Sequence, residues 1–278
     1  MQFTIVSLAM FGLLFPAGGR AGRREPPPSG LPPSEATART ALETSPRHGE
    51  FVDIALPSGG TALRSFVVYP ERPDKAGVVI VIHEIYGLSD WIRGVADRLA
   101  ADGFIAIAPD LVSGMGPGGG GTDSIPSRDD VVKLVSGLAP ELVRERLDAV
   151  RAYAAHLPAS DGKVATLGFC WGGGQSFAYA ASEPAIAAAV VYYGVTPDSA
   201  TLRQVRAPVL GHYGGDDARV NATLPQAREA LKRGFDARLY PGAGHGFLRQ
   251  QGGRDGANLR ATSESWPRTV SFLRSRLR

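Results

Sequence analysis

Short apolar runs alternate with longer stretches of helical periodicity along most of this chain. Residues 77–82 are continuously apolar, which is typical of a strand buried on both faces of a parallel sheet. Further strands are predicted at 104–108, 164–169, 186–193, 207–213 and 237–240, and helices at 91–101, 129–137, 140–156, 171–182, 224–234 and 258–277. This alternation predicts an α/β fold, with a mainly parallel open sheet and helices on both faces.

The sheet is expected to begin with an antiparallel hairpin. Residues 51–56 alternate between apolar and polar side chains, and a second strand follows at 63–69. The Pro-Ser-Gly-Gly sequence at 57–60 is typical of a turn between them. With 278 residues in all, the chain has room for one large domain, which we place at 49–278.

Two segments precede that domain. Residues 3–15 are mostly apolar and are followed by Pro16 and small residues, a pattern typical of a signal peptide, although no Lys or Arg precedes the run. We therefore interpret 1–21 as a signal peptide and predict a secreted or periplasmic protein; without a functional signal the protein would be cytoplasmic. Residues 22–48 are rich in Pro, Ser, Arg and Glu, and we expect them to form a disordered leader.

Composition and charge narrow the classes of partner. The formal net charge is +3, and no basic run is interleaved with aromatic residues, which argues against nucleic acid. The N-terminal apolar run is too short to span a bilayer comfortably, so we expect no stable membrane insertion. The chain has one cysteine, so it can form no intramolecular disulfide, and no cluster of Cys and His has metal-ligand spacing. We expect a monomer that binds a small molecule.

The pattern Gly-x-Cys-x-Gly places Cys170 between an apolar strand and the start of a helix. It is the nucleophile-elbow pattern with Cys in place of the usual Ser. The flanking Gly168 and Gly172 fit a strained turn in which larger side chains would collide with neighbouring backbone. The helix N-terminus beside the thiol favours negative charge. A buried structural thiol is the alternative, but the turn pattern favours a nucleophile.

A cysteine nucleophile needs a base and a group that orients the base. His245 follows the last predicted strand, on a loop whose glycines allow the imidazole to reach the sheet edge; the alternative is an ordinary surface histidine. The acid is Asp216 or Asp217, in the turn after the preceding strand, and the pattern alone does not choose between them. The order nucleophile, acid, histidine is that of α/β-hydrolases.

Backbone N–H groups near Cys170 are predicted to bind an oxyanion. Trp171 directly follows the cysteine, and Ile85 lies in the loop after the strand at 77–82; these are the two places that supply donors to an elbow of this kind. Glu84 precedes Ile85. It is either a solvated carboxylate at a strand end or a carboxylate that faces the thiol and controls its protonation.

Four motifs in this order resemble the dienelactone hydrolase family (carboxymethylenebutenolidase-like): His-Glu-Ile-Tyr-Gly at 83–87, the elbow, the Gly-Gly-Asp-Asp turn and the His-Gly-Phe segment. The resemblance covers about 50–278. It implies a single-domain α/β-hydrolase fold, a Cys-His-Asp triad and no metal or organic cofactor. It also implies that Asp217 is the triad acid, that Glu84 keeps the resting thiol protonated, and that Arg249 binds a substrate carboxylate.

We therefore predict a hydrolase that opens a small-molecule ester or lactone through an acyl-thioester on Cys170. The loop 112–121 is rich in glycine where well-studied members of the family carry a further Arg and a Tyr, so the substrate stays open, as does a lid role for 114–127. The alternatives are a general carboxylesterase or thioesterase without dienelactone specificity, and a non-catalytic binding protein with the same fold.

Overall fold

Residues 30–278, the part of the chain that the computed structural model describes, are organised around an eight-stranded sheet with the order β1-β2-β4-β3-β5-β6-β7-β8. The strands are β1 (Gly49–Ile54), β2 (Leu63–Val68), β3 (Ala76–Ile82), β4 (Ile105–Pro109), β5 (Ser160–Phe169), β6 (Ala188–Tyr192), β7 (Val209–Gly214) and β8 (Phe235–Tyr240). The two first strands pair antiparallel, and β2 pairs antiparallel with β4. From β4 to β8 all neighbours are parallel, so the predicted hairpin and mainly parallel sheet are confirmed.

Helices cover both faces of this sheet. They are α1 (Ala38–Glu43), α2 (Asp90–Ala101), α3 (Arg128–Ser136), α4 (Pro140–His156), α5 (Trp171–Ser182), α6 (Ser199–Leu202), α7 (Ala218–Asn221), α8 (Leu224–Leu231) and α9 (Ala257–Arg276). The long ones among them match the predicted helices. Within 30–278, no helix combines the length and the apolar character that a membrane span requires.

The central strand β3 shows why its sequence is apolar throughout. All seven of its residues are buried. Val79 and Val81 pack into the cluster that includes Trp91 of α2 and Trp266 of α9. Ile80 points the other way, into the cluster under α4 and α5. Because successive side chains of a strand point to opposite faces, a strand covered on both sides needs apolar residues at every position.

Element boundaries differ from the prediction at two places. Strand β5 begins at Ser160 rather than at 164, because its first residue pairs with Ala76 across a register shift. The helix predicted at 224–234 ends at Leu231, and a short 3₁₀ turn leads into β8, which starts at Phe235. In both cases cross-strand hydrogen bonds extend a strand beyond its apolar run.

Residues 30–48 are ordered, contrary to the prediction of a disordered leader. Pro32 and Pro33 are buried, and the Pro33 carbonyl accepts a hydrogen bond of 3.1 Å from the Trp91 indole N–H. Ala38, at the start of α1, is 1% exposed and belongs to the core cluster of α2. Proline has a fixed φ and no backbone N–H that would need an acceptor when buried, so it suits this extended, buried stretch. The predicted signal peptide, 1–21, and residues 22–29 of the leader lie outside the described residues.

Candidate active site

The predicted site residues follow the carboxyl ends of neighbouring parallel strands. Glu84 comes after β3, Cys170 after β5, Asp217 after β7 and His245 after β8, while Tyr193 comes directly after β6. Parallel strands end at one edge of their sheet, and this edge is where open α/β sheets bind ligands. The topology therefore brings these residues, far apart in sequence, to one edge.

The backbone at Cys170 is strained in the way the elbow pattern predicts. Its φ of 54° and ψ of −116° are rare for a residue with a side chain. A Cβ at Gly168 would lie 1.9 Å from the Gly172 carbonyl oxygen, and a Cβ at Gly172 would lie 2.2 Å from the His83 carbonyl oxygen. Neither position tolerates a side chain, so both glycines are required for the turn.

The close approach at Gly172 also sets the elbow beside the loop after β3, which carries Ile85. Trp171 is the first residue of α5, and the first N–H groups of a helix have no acceptor inside it. The Ile85 N–H likewise donates to no carbonyl among the backbone hydrogen bonds of 30–278. No backbone carbonyl of the described residues thus competes for the two predicted oxyanion donors.

His245 and Asp217 are in direct contact. His245 Nδ1 lies 2.6 Å from Asp217 Oδ2, and the Asp217 side chain is buried whereas the imidazole is one-third exposed. Asp216 instead forms a half-exposed ion pair of 2.8 Å with Arg254. The geometry thus pairs the second aspartate of the turn, and not the first, with the histidine. With Nδ1 held by the carboxylate, Nε2 is the nitrogen that remains for proton transfer.

The thiol forms no hydrogen bond with this pair. Among the hydrogen bonds within 30–278, none joins Cys170 Sγ to His245. Tyr193, which sequence reasoning missed, lies next to the histidine: its ring centroid is 5.1 Å from that of His245, and its backbone φ is 41°. Its hydroxyl is buried with no hydrogen-bond partner among the described residues, which leaves one donor unused in this region of the site. The signal for Tyr193 is its position directly after a parallel strand, at the ligand-binding edge.

Glu84 and Arg249 form a buried charge pair. Glu84 Oε1 lies 2.9 Å from Arg249 Nε, with side chains only 4% and 10% exposed. The contact lacks hydrogen-bond geometry, so the attraction is mainly between the charges. Burial raises the pKa of Glu84 to about 7, although the Arg249 charge opposes this rise. The carboxyl group is therefore poised to change protonation near neutral pH.

The Cys170 thiol is protonated under the same conditions. Burial raises its pKa to about 11, and the Glu84 carboxylate adds to the rise. The Trp171 N–H and the charges of Arg219 and Arg249 act in the opposite direction. A thiolate is the nucleophilic form, so the resting site holds the cysteine in its less reactive state.

Removal of the Glu84 charge should make the thiol more acidic. For Glu84→Gln we expect roughly tenfold faster alkylation of Cys170 by iodoacetamide at pH 8, because one nearby negative charge has gone. Since the pKa of Glu84 is about 7, wild type and variant should converge below that pH, where Glu84 is itself neutral. Mass spectrometry of alkylated protein from pH 6 to about pH 9 measures the rates. Glu43→Gln, on the surface of α1, is the control, and equal rates for Glu84→Gln and wild type at pH 8 would contradict the prediction.

A buried histidine holds the loop that carries Glu84. His83 Nε2 accepts a hydrogen bond of 3.1 Å from the Leu111 N–H, so the ring proton sits on Nδ1, which donates to the Glu84 carbonyl oxygen at 2.7 Å. Burial lowers the pKa of His83, in keeping with a neutral ring. The ring also stacks on Trp171, with centroids 5.7 Å apart. His83 therefore fixes the position of this loop and has no nitrogen left to act as a base.

The Gly-rich loop at 114–127 is tied to the same region. Thr122 N–H donates to Asp110 Oδ2 at 2.6 Å, and the Thr122 hydroxyl donates to Asp110 Oδ1 at 2.8 Å. The Leu88 N–H in turn donates to the Thr122 hydroxyl at 3.1 Å. These bonds connect the loop to the end of β4 and to the segment after β3.

Two further charged residues, both missed from the sequence, extend the pair: one contacts Arg249, and the other contacts the first. Glu35 contacts Arg249 Nη1, and Arg128 at the start of α3 lies 3.0 Å from Glu35 Oε1. Within residues 30–278 no group of three or more His, Cys, Asp or Glu side chains is arranged to hold a metal ion. The charged groups of this site are thus carboxylates and guanidinium groups that face one another.

Comparison with known proteins agrees with the resemblance found in the sequence. The dienelactone hydrolase family matches residues 63–277. A putative carboxymethylenebutenolidase of Saccharolobus solfataricus is 33% identical over 255 residues, which cover 80% of this chain and 97% of the relative. The carboxymethylenebutenolidase of Pseudomonas putida is 33% identical over 186 residues, or 63% of this chain and 76% of that protein.

A solved structure gives the same result. The crystal structure of a putative dienelactone hydrolase from Klebsiella pneumoniae superimposes with a TM-score of 0.69 at 29% identity, over 81% of this chain and 98% of that one. Its fold is the α/β-hydrolase arrangement predicted here. The chain therefore belongs to the dienelactone hydrolase family and is a carboxymethylenebutenolidase-like hydrolase.

Proposed function

We propose that the protein hydrolyses a carboxylic ester or lactone, with Cys170 as nucleophile, His245 as general base and acid, and Asp217 as the group that orients the imidazole. The observation that carries this proposal is the contact of 2.6 Å between His245 and Asp217, at the sheet edge where the strained Cys170 lies. An acid–base pair and a strained nucleophile at the same sheet edge are the groups that acyl transfer needs.

The first step is ionisation of the thiol. Glu84 raises the pKa of Cys170, so a substrate that displaces the Glu84 carboxylate removes charge repulsion and lets the thiol ionise. The proton moves to His245 Nε2, and the imidazolium is stabilised by Asp217, which stays ionised. This step couples nucleophile activation to occupation of the site.

The second step is acyl transfer. The thiolate attacks the carbonyl carbon, a C–S bond forms, and the negative charge on the carbonyl oxygen is stabilised by the N–H groups of Ile85 and Trp171. The oxyanion collapses, the C–O bond to the leaving group breaks, and His245 returns its proton to the leaving oxygen. Water, deprotonated by His245, then attacks the thioester, releases the acid product and regenerates the thiol.

Trapping of the acyl-thioester tests the mechanism. When the protein is mixed with p-nitrophenyl acetate and quenched in acid, we expect its mass to increase by one acetyl group, on the peptide that contains Cys170. His245→Ala should slow both formation and hydrolysis of the adduct. Cys170→Ala is the control and should carry no acetyl group. Turnover without any adduct in rapid-quench samples, or acetylation at another residue with Cys170 unmodified, would refute the proposal.

One observation favours the second candidate, a carboxylesterase or thioesterase without dienelactone specificity. The cationic side chain that a dienelactone carboxylate would need, Arg249, is already in contact with Glu35 and Glu84. The third candidate, a non-catalytic binding protein, is disfavoured by the family assignment. Export from the cytoplasm is a further proposal, which depends on the sequence of residues 1–21 alone.

A further inference from the structure

A carboxylate from the N-terminal segment occupies the cationic part of the candidate site. Glu35 Oε2 contacts Arg249 Nη1. Arg249 is nine-tenths buried, and its Nε faces Glu84 at 2.9 Å. Arg249 is thus engaged by a carboxylate on two sides, and a third carboxylate, from a substrate, would have to displace one of them.

A second guanidinium group closes the other side of Glu35. Arg128 Nη2 lies 3.0 Å from Glu35 Oε1, and its Cζ lies 3.5 Å from the centroid of the Tyr86 ring. The Arg249 Cζ is 5.1 Å from the same ring. Stacking on an aromatic face fixes a guanidinium group in place, so both cations are aligned around the carboxylate of Glu35.

The backbone holds Glu35 in this position. Its N–H donates to the Arg249 carbonyl oxygen at 3.0 Å. Three residues before it, the Pro32 carbonyl accepts a hydrogen bond of 2.9 Å from the Gln251 side chain. Pro33 packs so closely on α2 that a Cβ at Gly94 would lie 2.7 Å from its Cγ. Because these contacts hold the backbone at Glu35 and directly before it, little further entropy is lost when the Glu35 side chain binds Arg249.

Charge balance gives the consequence of this arrangement. Two carboxylates, Glu35 and Glu84, face two guanidinium groups, Arg249 and Arg128. When all four are ionised, the cluster is neutral and presents no unpaired cation to a substrate. The carboxylate of an anionic substrate finds no unpaired cation here unless it displaces Glu35 or Glu84. A neutral ester can bind without displacing either of them.

We propose that Glu35 is a specificity-determining residue: its carboxylate fills the cationic position formed by Arg249 and Arg128, so the enzyme favours neutral esters over esters that carry a carboxylate. This inference rests on the proposed ester hydrolysis. It deepens that function by naming the substrate class and the residue that selects it. Glu35 contacts Arg249 and is not placed on the reacting atoms, so its effect is on substrate binding.

Two esters of equal chain length test the proposal. They are p-nitrophenyl hexanoate, which is neutral, and the mono-p-nitrophenyl ester of adipic acid, which ends in a carboxylate. For wild type, kcat/KM should be higher with the hexanoate. For Glu35→Gln, the ratio of adipate to hexanoate kcat/KM should rise roughly tenfold, since the variant lacks the carboxylate that competes with the substrate carboxylate for Arg249. The change should appear in KM for the adipate ester, because the new interaction is present in ground and transition states alike.

Matched variants separate this role from a structural one. Glu43→Gln removes the same charge from an exposed position of the same segment and should leave the ratio unchanged. Arg249→Ala in the Glu35→Gln background should abolish the gain. Glu35→Asp keeps the charge but shortens its reach, so it should raise the ratio by less than Gln. A merely structural role would instead lower kcat for both esters equally.

Two results would overturn the proposal. One is an unchanged ratio in Glu35→Gln, with hexanoate turnover and melting temperature as in wild type. The other is a wild-type preference for the adipate ester that Glu35→Gln reduces. Failure of the underlying function is a different result: hexanoate turnover that survives Cys170→Ala would refute the cysteine mechanism, whatever the effect of Glu35.

Discussion

Replacement of Cys170 by alanine is expected to lower kcat for p-nitrophenyl acetate by about 10³-fold or more, because the acyl-thioester can no longer form. The remaining rate should be that of oxyanion binding and general-base catalysis of water attack. Steady-state release of p-nitrophenolate over a pH series measures the loss. Cys170→Ser should be nearly as inactive: a hydroxyl is far less acidic than a thiol, and burial and the neighbouring Glu84 already disfavour the ionised form here.

Folding must be controlled in this experiment. Cys170 is partly buried and packs at the margin of the core, so its replacement by alanine should change the free energy of unfolding by no more than about 1 kcal/mol. Thermal denaturation of both variants checks this. In the wild type, loss of activity during alkylation by iodoacetamide should follow modification of its only cysteine. Turnover by Cys170→Ala and Cys170→Ser at the wild-type rate would remove the cysteine from the mechanism.

Asp217→Asn is expected to reduce kcat by about 10²- to 10⁴-fold. Asparagine at this position would donate its amide N–H to His245 Nδ1, which moves the ring proton to Nε2, the nitrogen that has to accept a proton. The shape of the side chain is retained, so the loss would come from the wrong tautomer of the imidazole. Assay of the purified variant with p-nitrophenyl acetate measures the loss, with kcat and KM determined separately.

The adjacent Asp216 is the matched control. Its carboxylate pairs with Arg254 at the surface, with both side chains half exposed. Exposed pairs of this kind contribute at most about 1 kcal/mol, so Asp216→Asn should keep kcat within about twofold of wild type. Equal losses in the two variants would show that the turn, and not the Asp217–His245 contact, matters for activity.

Much of the fold follows from local pattern. The strand β3 is apolar at every position because it is covered on both faces. A continuous apolar run of this kind predicts a buried parallel strand from the sequence alone. The elbow is also predictable from the sequence, because Gly168 and Gly172 occupy positions where a Cβ would clash with the backbone. The clash of Gly168 with Gly172 is local, whereas that of Gly172 with His83 is not; both glycines are nevertheless predictable, because they belong to one short turn motif.

The choice between Asp216 and Asp217 lay beyond local pattern. Both follow β7 in one turn, and which carboxylate faces His245 depends on backbone angles of that turn and on the course of β8. The family resemblance selects Asp217, and in the structure Asp217 is the one of the two that lies within 2.6 Å of His245; its catalytic role stays a prediction. Tyr193 was hidden for a related reason: its unusual backbone angle turns an apparent end of strand β6 towards the site.

The N-terminal segment shows where compositional reasoning fails. The proline-rich sequence predicts disorder for 22–48, yet Pro33 is buried against α2. The contact between Glu35 and Arg249 joins residues 214 positions apart. Local periodicity cannot predict a contact between residues so far apart in the sequence. A single Glu in a polar stretch therefore gives no indication that it pairs with Arg249.

The course of this segment also determines where the protein can be shortened. A chain that began at β1 would leave the Trp91 indole N–H, now bonded to Pro33, in an apolar groove open to water. The same truncation would remove Arg47, which donates hydrogen bonds of 2.9 Å from Nε and 2.6 Å from Nη2 to Asp97 on α2. The Asp97 carboxylate, which is buried, would then lose its charged partner. We therefore expect a chain that lacks residues 30–48 to be less stable than the full protein. A cut placed at the start of the family match, residue 63, would also remove the outermost strand of the sheet.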